Sequence, residues 1–317
     1  MSRNHYLTSV VRSVAILALF GALVLSAGIA SASPQAAGIT PPDSSAADTH
    51  YGMFGLLDHR SKYGQFWFPE PFRLDETDVD NEVRFDWLHQ KGKGHVTDEG
   101  HVELEKAFGL TTFELEIPYA RESQAITDPV SGATSHEHTW GAGNIEISVR
   151  RPIYQFVSKD DFFDNTIGAA LELGLPTNSP VSQNAEAVVK MFDSLRLGQH
   201  FSLQGLAGYS VLMGPGEEGG NRTFEYGLVA GYNISRHDLA LPYVEQLIPI
   251  LELKGETALN KEAAGQNNLT GTVGVRANLD AIGAWQPRFG IGYVFPIDKV
   301  ARDEFKWGIV TSLVFEY

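Results

Sequence analysis

The chain has 317 residues and contains no cysteine, which excludes disulfide bridges and thiolate metal sites. Basic residues are also scarce, since 24 Lys and Arg stand against 39 Asp and Glu and give a formal net charge of -15. A surface this acidic argues against nucleic acid as a partner. Beyond the N-terminal region, no apolar run approaches the roughly 20 residues that a membrane-spanning helix needs. The fold must therefore be found in shorter patterns.

The one long apolar run belongs to an N-terminal export signal, predicted over residues 1–32. Arg3 and Arg12 give it a positive start, residues 14–25 are almost entirely apolar, and the small residues 30–32 form a cleavage site. A membrane anchor is the alternative, but this apolar core is too short for one. The sequence therefore predicts an exported protein, which leaves a soluble periplasmic or secreted protein, or a barrel in an outer membrane.

The end of the chain alternates between two faces over residues 305–317. Apolar and aromatic side chains recur at every second position, namely Phe305, Trp307, Ile309, Thr311, Leu313, Phe315 and Tyr317. The intervening positions carry Lys306, Gly308, Val310, Ser312, Val314 and Glu316. A period of two with aromatic rings at both ends is typical of a strand that crosses a membrane between two water interfaces. A half-buried strand of a soluble protein is the alternative.

The same alternation recurs along the chain from residue 82. The predicted strands lie near residues 83–87, 102–105, 113–119, 145–150, 167–175, 185–197, 201–211, 224–234, 251–257, 269–276, 289–295 and 305–317. Bacterial single-chain barrels have an even number of strands. We therefore predict an all-β fold, a transmembrane antiparallel up-and-down β-barrel of about twelve strands over residues 82–317. A soluble β-sandwich could match the composition.

Strand parity predicts which connections face outward. With an even number of strands, the first strand begins and the last strand ends on the periplasmic side, so the odd-numbered connections become the outer loops. The third connection, residues 121–142, is long and polar. Pro118, Pro176 and Pro296 are each predicted to close an outward-running strand, because proline cannot donate to a ladder. Kinks that open the outer mouth laterally to an apolar solute are the alternative.

Two further segments precede the strands, and together they are predicted to fill residues 33–81. Residues 33–50 are rich in Pro, Ala and Ser and predict a flexible linker. Residues 51–72 are rich in aromatic rings, and their prolines exclude a regular helix. This aromatic segment could dock in the barrel as a plug or lie against its periplasmic rim. An extra strand and an interface for another protein stay open.

Several segments together resemble one family. They are VELEKAFG from Val102, FELEIPYA from Phe113, GAGNIEISVRRPIYQ from Gly141, AALELGLPTNS from Ala169, LELKGET from Leu251 and the closing strand. In their order they are similar to the outer-membrane β-barrels grouped as transporters of the phenol-degradation meta pathway. The resemblance covers residues 82–317 and implies an outer-membrane channel or transporter. It does not fix the solute.

We therefore expect a channel in the bacterial outer membrane that passes small solutes, with apolar or aromatic compounds as candidates, by passive diffusion through a charged lumen. The expected lumen-lining residues are Glu114, Glu116, Glu146, Arg150, Glu172, Glu252, Lys254, Glu256, Arg276, Arg288 and Lys306. A closed structural barrel filled by ion pairs and a surface-recognition barrel are the alternatives.

An outer-membrane enzyme is the less favoured reading, and we expect neither catalysis nor a cofactor. His136, His138, Asp193 and Ser202 offer suitable groups, but no nucleophile motif surrounds them. The two histidines could also catch a metal, although exposed histidines are more often solvated. Expected partners are outer-membrane lipid and lipopolysaccharide, a small solute, and the barrel-assembly machinery through the closing strand at residues 305–317.

Overall fold

The computed structural model describes residues 69–76, 79, 81–127, 134–158, 162–214, 218–239 and 241–317. The predicted signal peptide, the linker and residues 51–68 lie outside these ranges. The first strands are β1 (Glu82–Lys91), β2 (His95–Phe108), β3 (Thr111–Thr127), β4 (Thr134–Ala142), β5 (Ile145–Val157), β6 (Phe163–Leu175) and β7 (Ala185–Leu197). They are followed by β8 (Phe201–Met213), β9 (Arg222–Tyr232), β10 (Ile234–Ser235), α1 (Arg236–Leu239), β11 (Val244–Ala258), β12 (Asn267–Leu279), β13 (Gln286–Pro296), α2 (Lys299–Glu304) and β14 (Trp307–Glu316). Within the described ranges, neither helix is long and apolar enough to span a membrane.

The strands close into one antiparallel barrel. The first and last strands pair along their whole length, from Glu82 opposite Glu316 to Lys91 opposite Trp307. Strands β4 and β5 both pair with β3, and β9 and β10 both pair with β11, so each of these two sets forms a single position in the wall. The wall therefore has twelve strand positions, and the predicted fold and strand count are confirmed.

Side chains alternate between the two faces of the wall as the period predicts. Phe113, Ile117 and Tyr119 on β3 are exposed on the outside, whereas Val314 and Glu316 on β14 are buried inside. Many outward positions carry large apolar side chains, for example Leu171 and Leu173 on β6 and Ile291 and Tyr293 on β13. Backbone amides have no other partners in a lipid bilayer, so a closed barrel of this kind suits a membrane.

Aromatic pairs mark both ends of the apolar outer face. Phe108 packs on Phe113 and Trp285 on Tyr317 at the end where β1 begins, and Tyr119 packs on Trp140 at the other end. The connections differ in the same sense. The β2–β3 and β7–β8 turns at the first end are tight, and the β10–β11 connection there holds the single-turn helix α1. The β13–β14 connection at the second end holds helix α2. Short turns, the start of β1 and the end of β14 mark the first end as periplasmic.

Three sequence-based expectations about the outer end were wrong in detail. The third connection is mostly strand, because β3 extends to Thr127 and β4 starts at Thr134. Both faces of this hairpin meet water, which removes the period-two signal. Pro118 consequently does not close a strand. It lies where β3 changes its partner from β5 to β4, and its carbonyl accepts a hydrogen bond of 2.9 Å from Gly143 N.

The third error concerns Phe305, which was predicted to face outward on the last strand. It instead follows helix α2, and its N–H donates to the Ala301 carbonyl. Its ring is buried inside the outer mouth in a cluster with Val294 and Val310. The cause is the helical turn, which breaks the alternation before β14 begins at Trp307.

Candidate functional site

Residues 69–76, here called the lumen segment, lie inside the barrel. The chain then returns to the periplasmic end, where Asn81 O accepts a hydrogen bond of 2.9 Å from Tyr317 N and Asn81 Oδ1 accepts one of 3.1 Å from Ala107 N. Of the alternatives for the aromatic-rich region, the described part therefore follows the plug arrangement. Residues 51–68 of that region lie outside the described ranges.

Two arginines of the wall bind the Glu70 carboxylate. Two arginines also bind the backbone carbonyl of the next residue, Pro71. Arg84 lies 2.6 Å and Arg288 lies 3.4 Å from Glu70 oxygens. Arg84 and Arg276 donate to the Pro71 carbonyl at 2.8 and 2.6 Å. Burial alone would raise the pKa of Glu70, but its attraction to these arginines outweighs burial and lowers that pKa. Glu70 is therefore a buried, ionised group held by charge.

The next aromatic side chain fills a slot in the wall. The Phe72 ring lies under the Arg276 guanidinium at 4.9 Å, and its backbone N–H donates to Glu252 Oε2 at 2.8 Å. Glycines on two neighbouring strands form the floor of the slot. A Cβ atom at Gly274 or Gly290 would lie 2.7 or 2.8 Å from a ring atom. Side chains there would therefore expel the ring.

The remaining residues of the lumen segment reach the outer half of the barrel. Lys190 Nζ lies 2.6 Å from Asp75 Oδ2, Arg73 donates to Thr270 Oγ1 at 2.9 Å, and Leu74 packs on Gly227. Beside them remains a cavity of about 50 Å³. Because a water molecule occupies roughly 30 Å³ of liquid, this space is too small for an organic solute.

The structure places most of the predicted lumen residues on inward positions. Six of them are buried, namely Glu114, Arg150, Glu172, Glu252, Arg276 and Arg288. Partly buried on the same face are Glu116, Glu146, Lys254 and Glu256. Lys306 is exposed and precedes β14 at the outer rim. The role of these residues in solute passage stays a prediction.

Charges are sorted around the inner wall. Arginines of β12, β13 and β1 form one sector, namely Arg276, Arg288 and Arg84, and the next strands, from β2 to β6, bear mostly carboxylates. Arg150 in that second sector pairs with Glu105, and Lys190 pairs with Glu172. Buried carboxylates also lie in the first sector, where Asp86 pairs with Arg84 and Glu316 pairs with Arg288.

Sequence reasoning missed part of this network. Arg84 and Asp86 are absent from the predicted lumen residues, yet Arg84 binds Asp86 at 2.7 Å as well as Glu70. Glu103 and Glu105 went unassigned in the same way. Carboxylate oxygens of Glu82, Glu103 and Glu105 lie within 4.8 Å of one another. Because Arg84 and Arg150 pair with members of this group, it is part of an ion-pair network.

The four candidate catalytic residues are not brought together. His136 and His138 are exposed on β4 at the outer end. Ser202 faces the lumen near the periplasmic end of β8, and Asp193 is hydrogen bonded to Asn165. A nucleophile and its base need hydrogen-bonding distance, which this arrangement does not provide.

Comparison with known proteins supports the fold. No family model matches the chain, and no curated protein matches it. Among solved structures, the COG4313 outer membrane channel from Pseudomonas putida F1 is similar with a TM-score of 0.51 at 13% identity, covering 79% of this chain and 100% of that one. The NanC porin has a TM-score of 0.42 at 9% identity, covering 75% and 98%.

The protein is a β-barrel of the bacterial outer membrane. Its closed twelve-strand wall and apolar outer face carry this conclusion, and the similarity to the Pseudomonas channel agrees with it. Membership in the phenol-degradation transporter family stays a prediction.

Proposed function

We propose that this protein is an outer-membrane channel for small solutes, closed by the lumen segment and conducting when that segment leaves. The supporting observation is how the segment is held. Its polar anchors are ion pairs and hydrogen bonds to a charged wall, from Arg84, Arg288 and Lys190 among others. Such contacts can be exchanged for water or solute, unlike a continuous apolar core.

The size of the barrel agrees with this function. Barrels of about eight strands are filled by their own side chains, whereas those of 16 to 18 strands leave a wide aqueous channel. A wall of twelve positions lies between these limits, and here a peptide occupies the extra space. Release of the lumen segment would expose a passage for passive diffusion, lined by the charged residues of the two sectors. Apolar or aromatic compounds are the candidate solutes.

A disulfide that fixes the lumen segment tests the proposal. A Cβ atom on Gly227 would lie 2.9 Å from Cγ of Leu74, so cysteines at both positions come within the roughly 3.5–4.5 Å Cβ separation of a disulfide. The native chain has no cysteine to interfere. We expect liposomes with Leu74→Cys/Gly227→Cys protein to swell slowly in sugars, amino acids and small aromatics when oxidised, and faster after reduction.

The competing function is a closed structural barrel. It is favoured by one observation, since the lumen segment and the apolar cluster around Phe72, Leu74 and Phe305 leave little space inside. Swelling rates that match protein-free liposomes in both redox states would support this alternative and refute the channel. Single-cysteine variants Leu74→Cys and Gly227→Cys provide the control, because reduction should not change their rates.

We also propose partners that follow from this location. Lipid and lipopolysaccharide would cover the apolar outer face and its outer aromatic ring. The barrel-assembly machinery would recognise the last strand, β14, together with Tyr317, which follows it.

A further inference from the structure

Three buried arginines converge on one short stretch of the lumen segment. Arg84, Arg276 and Arg288 are exposed by 6, 0 and 2%. Together they bind the Glu70 carboxylate and the Pro71 carbonyl. Guanidinium groups match the planar geometry of carboxylates, and they are the usual choice for binding them.

The wall itself satisfies this cluster only in part. Arg84 has Asp86 and Arg288 has Glu316 as wall partners. Arg276 binds only neutral acceptors among the described residues, the Ser312 hydroxyl at 3.1 Å and the Pro71 carbonyl. Glu70 is the carboxylate that attracts Arg276 most strongly, and Asp86 of the wall attracts it less. A buried cation left without such compensation is costly, so withdrawal of the segment leaves a site that attracts an anion.

A flat apolar slot adjoins the same arginine. Phe72 occupies it between the Arg276 guanidinium and the floor made by Gly274, Gly290 and Gly292. A Cβ atom at Gly292 would lie 3.4 Å from the Phe72 ring. The ring therefore lies close to the backbone at three glycines on two neighbouring strands. Arg276 thus lies beside both a carboxylate position and a ring position, and a guanidinium favours an aromatic face beneath it.

We propose that residues 70–72 occupy a binding site for a small solute that carries a carboxylate and a planar ring, with Glu70 and Phe72 taking the places of these two groups. The proposal rests on the function proposed above and specifies its solute class. The solute's carboxylate would bind Arg84 and Arg288, and its ring would enter the slot under Arg276. Solute and lumen segment then compete for one site, so the solute favours the open channel.

Binding of benzoate to the detergent-solubilised full-length protein tests this site. In Glu70→Gln the segment no longer offers a carboxylate, and the arginines become available. We expect benzoate to bind Glu70→Gln at least about tenfold more tightly than the wild type, because wild-type protein must first release its own ligand. Benzamide, which has the same shape without the charge, should bind neither protein by isothermal titration calorimetry.

Two further variants set the controls. Glu262→Gln removes an exposed carboxylate of the β11–β12 loop at the outer end, and it should bind benzoate as the wild type does. Glu70→Gln/Arg276→Gln should lose the gained affinity. Equal binding of benzoate and benzamide, or no benzoate binding to a correctly folded Glu70→Gln barrel, would overturn the proposal.

A second measurement covers the case in which Glu70→Gln fails to fold. Thr272 faces the lumen beside the Phe72 slot, so a cysteine there reports on release of the segment. We expect benzoate, and not benzamide, to accelerate labelling of Thr272→Cys in a chain with native Glu70. Unchanged labelling would refute competition. Neither assay measures transport through the barrel. A failure of liposome swelling would therefore refute the channel function without deciding whether the binding site exists.

Discussion

Truncation of Phe72 to alanine is expected to release the lumen segment while the barrel stays closed. Phe72 is 2% exposed and fills the slot under Arg276. Replacing a buried phenylalanine by alanine costs about 3–5 kcal/mol in protein cores. We use the lower value, because the lumen segment can shift within its surroundings. A cost of about 3 kcal/mol raises the released population roughly 100-fold, since each 1.4 kcal/mol is a factor of ten.

The labelling rate of a cysteine beneath the segment measures this population. Thr272 is 1% exposed, and in the cysteine-free background a thiol reagent modifies Thr272→Cys only when the segment has moved. We expect Phe72→Ala to increase the rate roughly 100-fold, in proportion to the released population. Phe289→Ala is the matched control, because Phe289 faces lipid on β13 and is 44% exposed. A rate unchanged by Phe72→Ala in a heat-modifiable barrel would refute the reasoning.

Three further predictions concern charge, space and lipid. Docking of the lumen segment should weaken as pH falls below 4.5, the ordinary pKa of a glutamate such as Glu70. The pKa of Glu70 is lowered in the docked state, so its ionised form stabilises docking and protonation removes that contribution. The labelling rate of Thr272→Cys must be divided at each pH by the rate for a free thiol, because the thiolate is the reacting form. This ratio should be equal at pH 8 and 6 and higher at pH 3.5, and a higher ratio at pH 8 would contradict this sign. Gly290→Val should expel the Phe72 ring and speed labelling, whereas Gly205→Val, which meets only a backbone oxygen at 4.0 Å, should not. Leu171→Arg on the lipid face should lower the free energy of unfolding by about 2–4 kcal/mol in urea titrations in vesicles. Leu259→Arg in an outer loop should change this free energy little. Equal effects of the two substitutions would argue against lipid contact at Leu171.

The sequence predicted the wall well because each strand has lipid on one side and the lumen on the other. Alternation at residues 113–119 or 289–295 is a local signal that needs no tertiary information. Where both faces meet water, as in the β3–β4 hairpin beyond Pro118, the signal disappears. It also failed at Phe305, where a helical turn changes the direction of the chain.

The occupied lumen was less accessible to sequence reasoning. Glu70 and Arg288 are separated by 218 residues, and Phe72 and Glu252 by 180. No local period encodes such contacts. One signal was present, since Gly290 and Gly292 alternate with large outward side chains on β13. Small residues repeated on an inward face indicate that something approaches the wall closely, but they do not identify it.

Cross-linking in outer-membrane vesicles tests most directly whether the lumen segment lies inside the barrel. In Leu74→Cys/Gly227→Cys, mild oxidation should form the intramolecular disulfide in most molecules. The matched pair Leu74→Cys/Gly205→Cys should form almost none, because Gly205 is at an odd-numbered position of β8, on the lipid side of the wall. Similar yields for the two pairs, or no disulfide in either, would contradict the account.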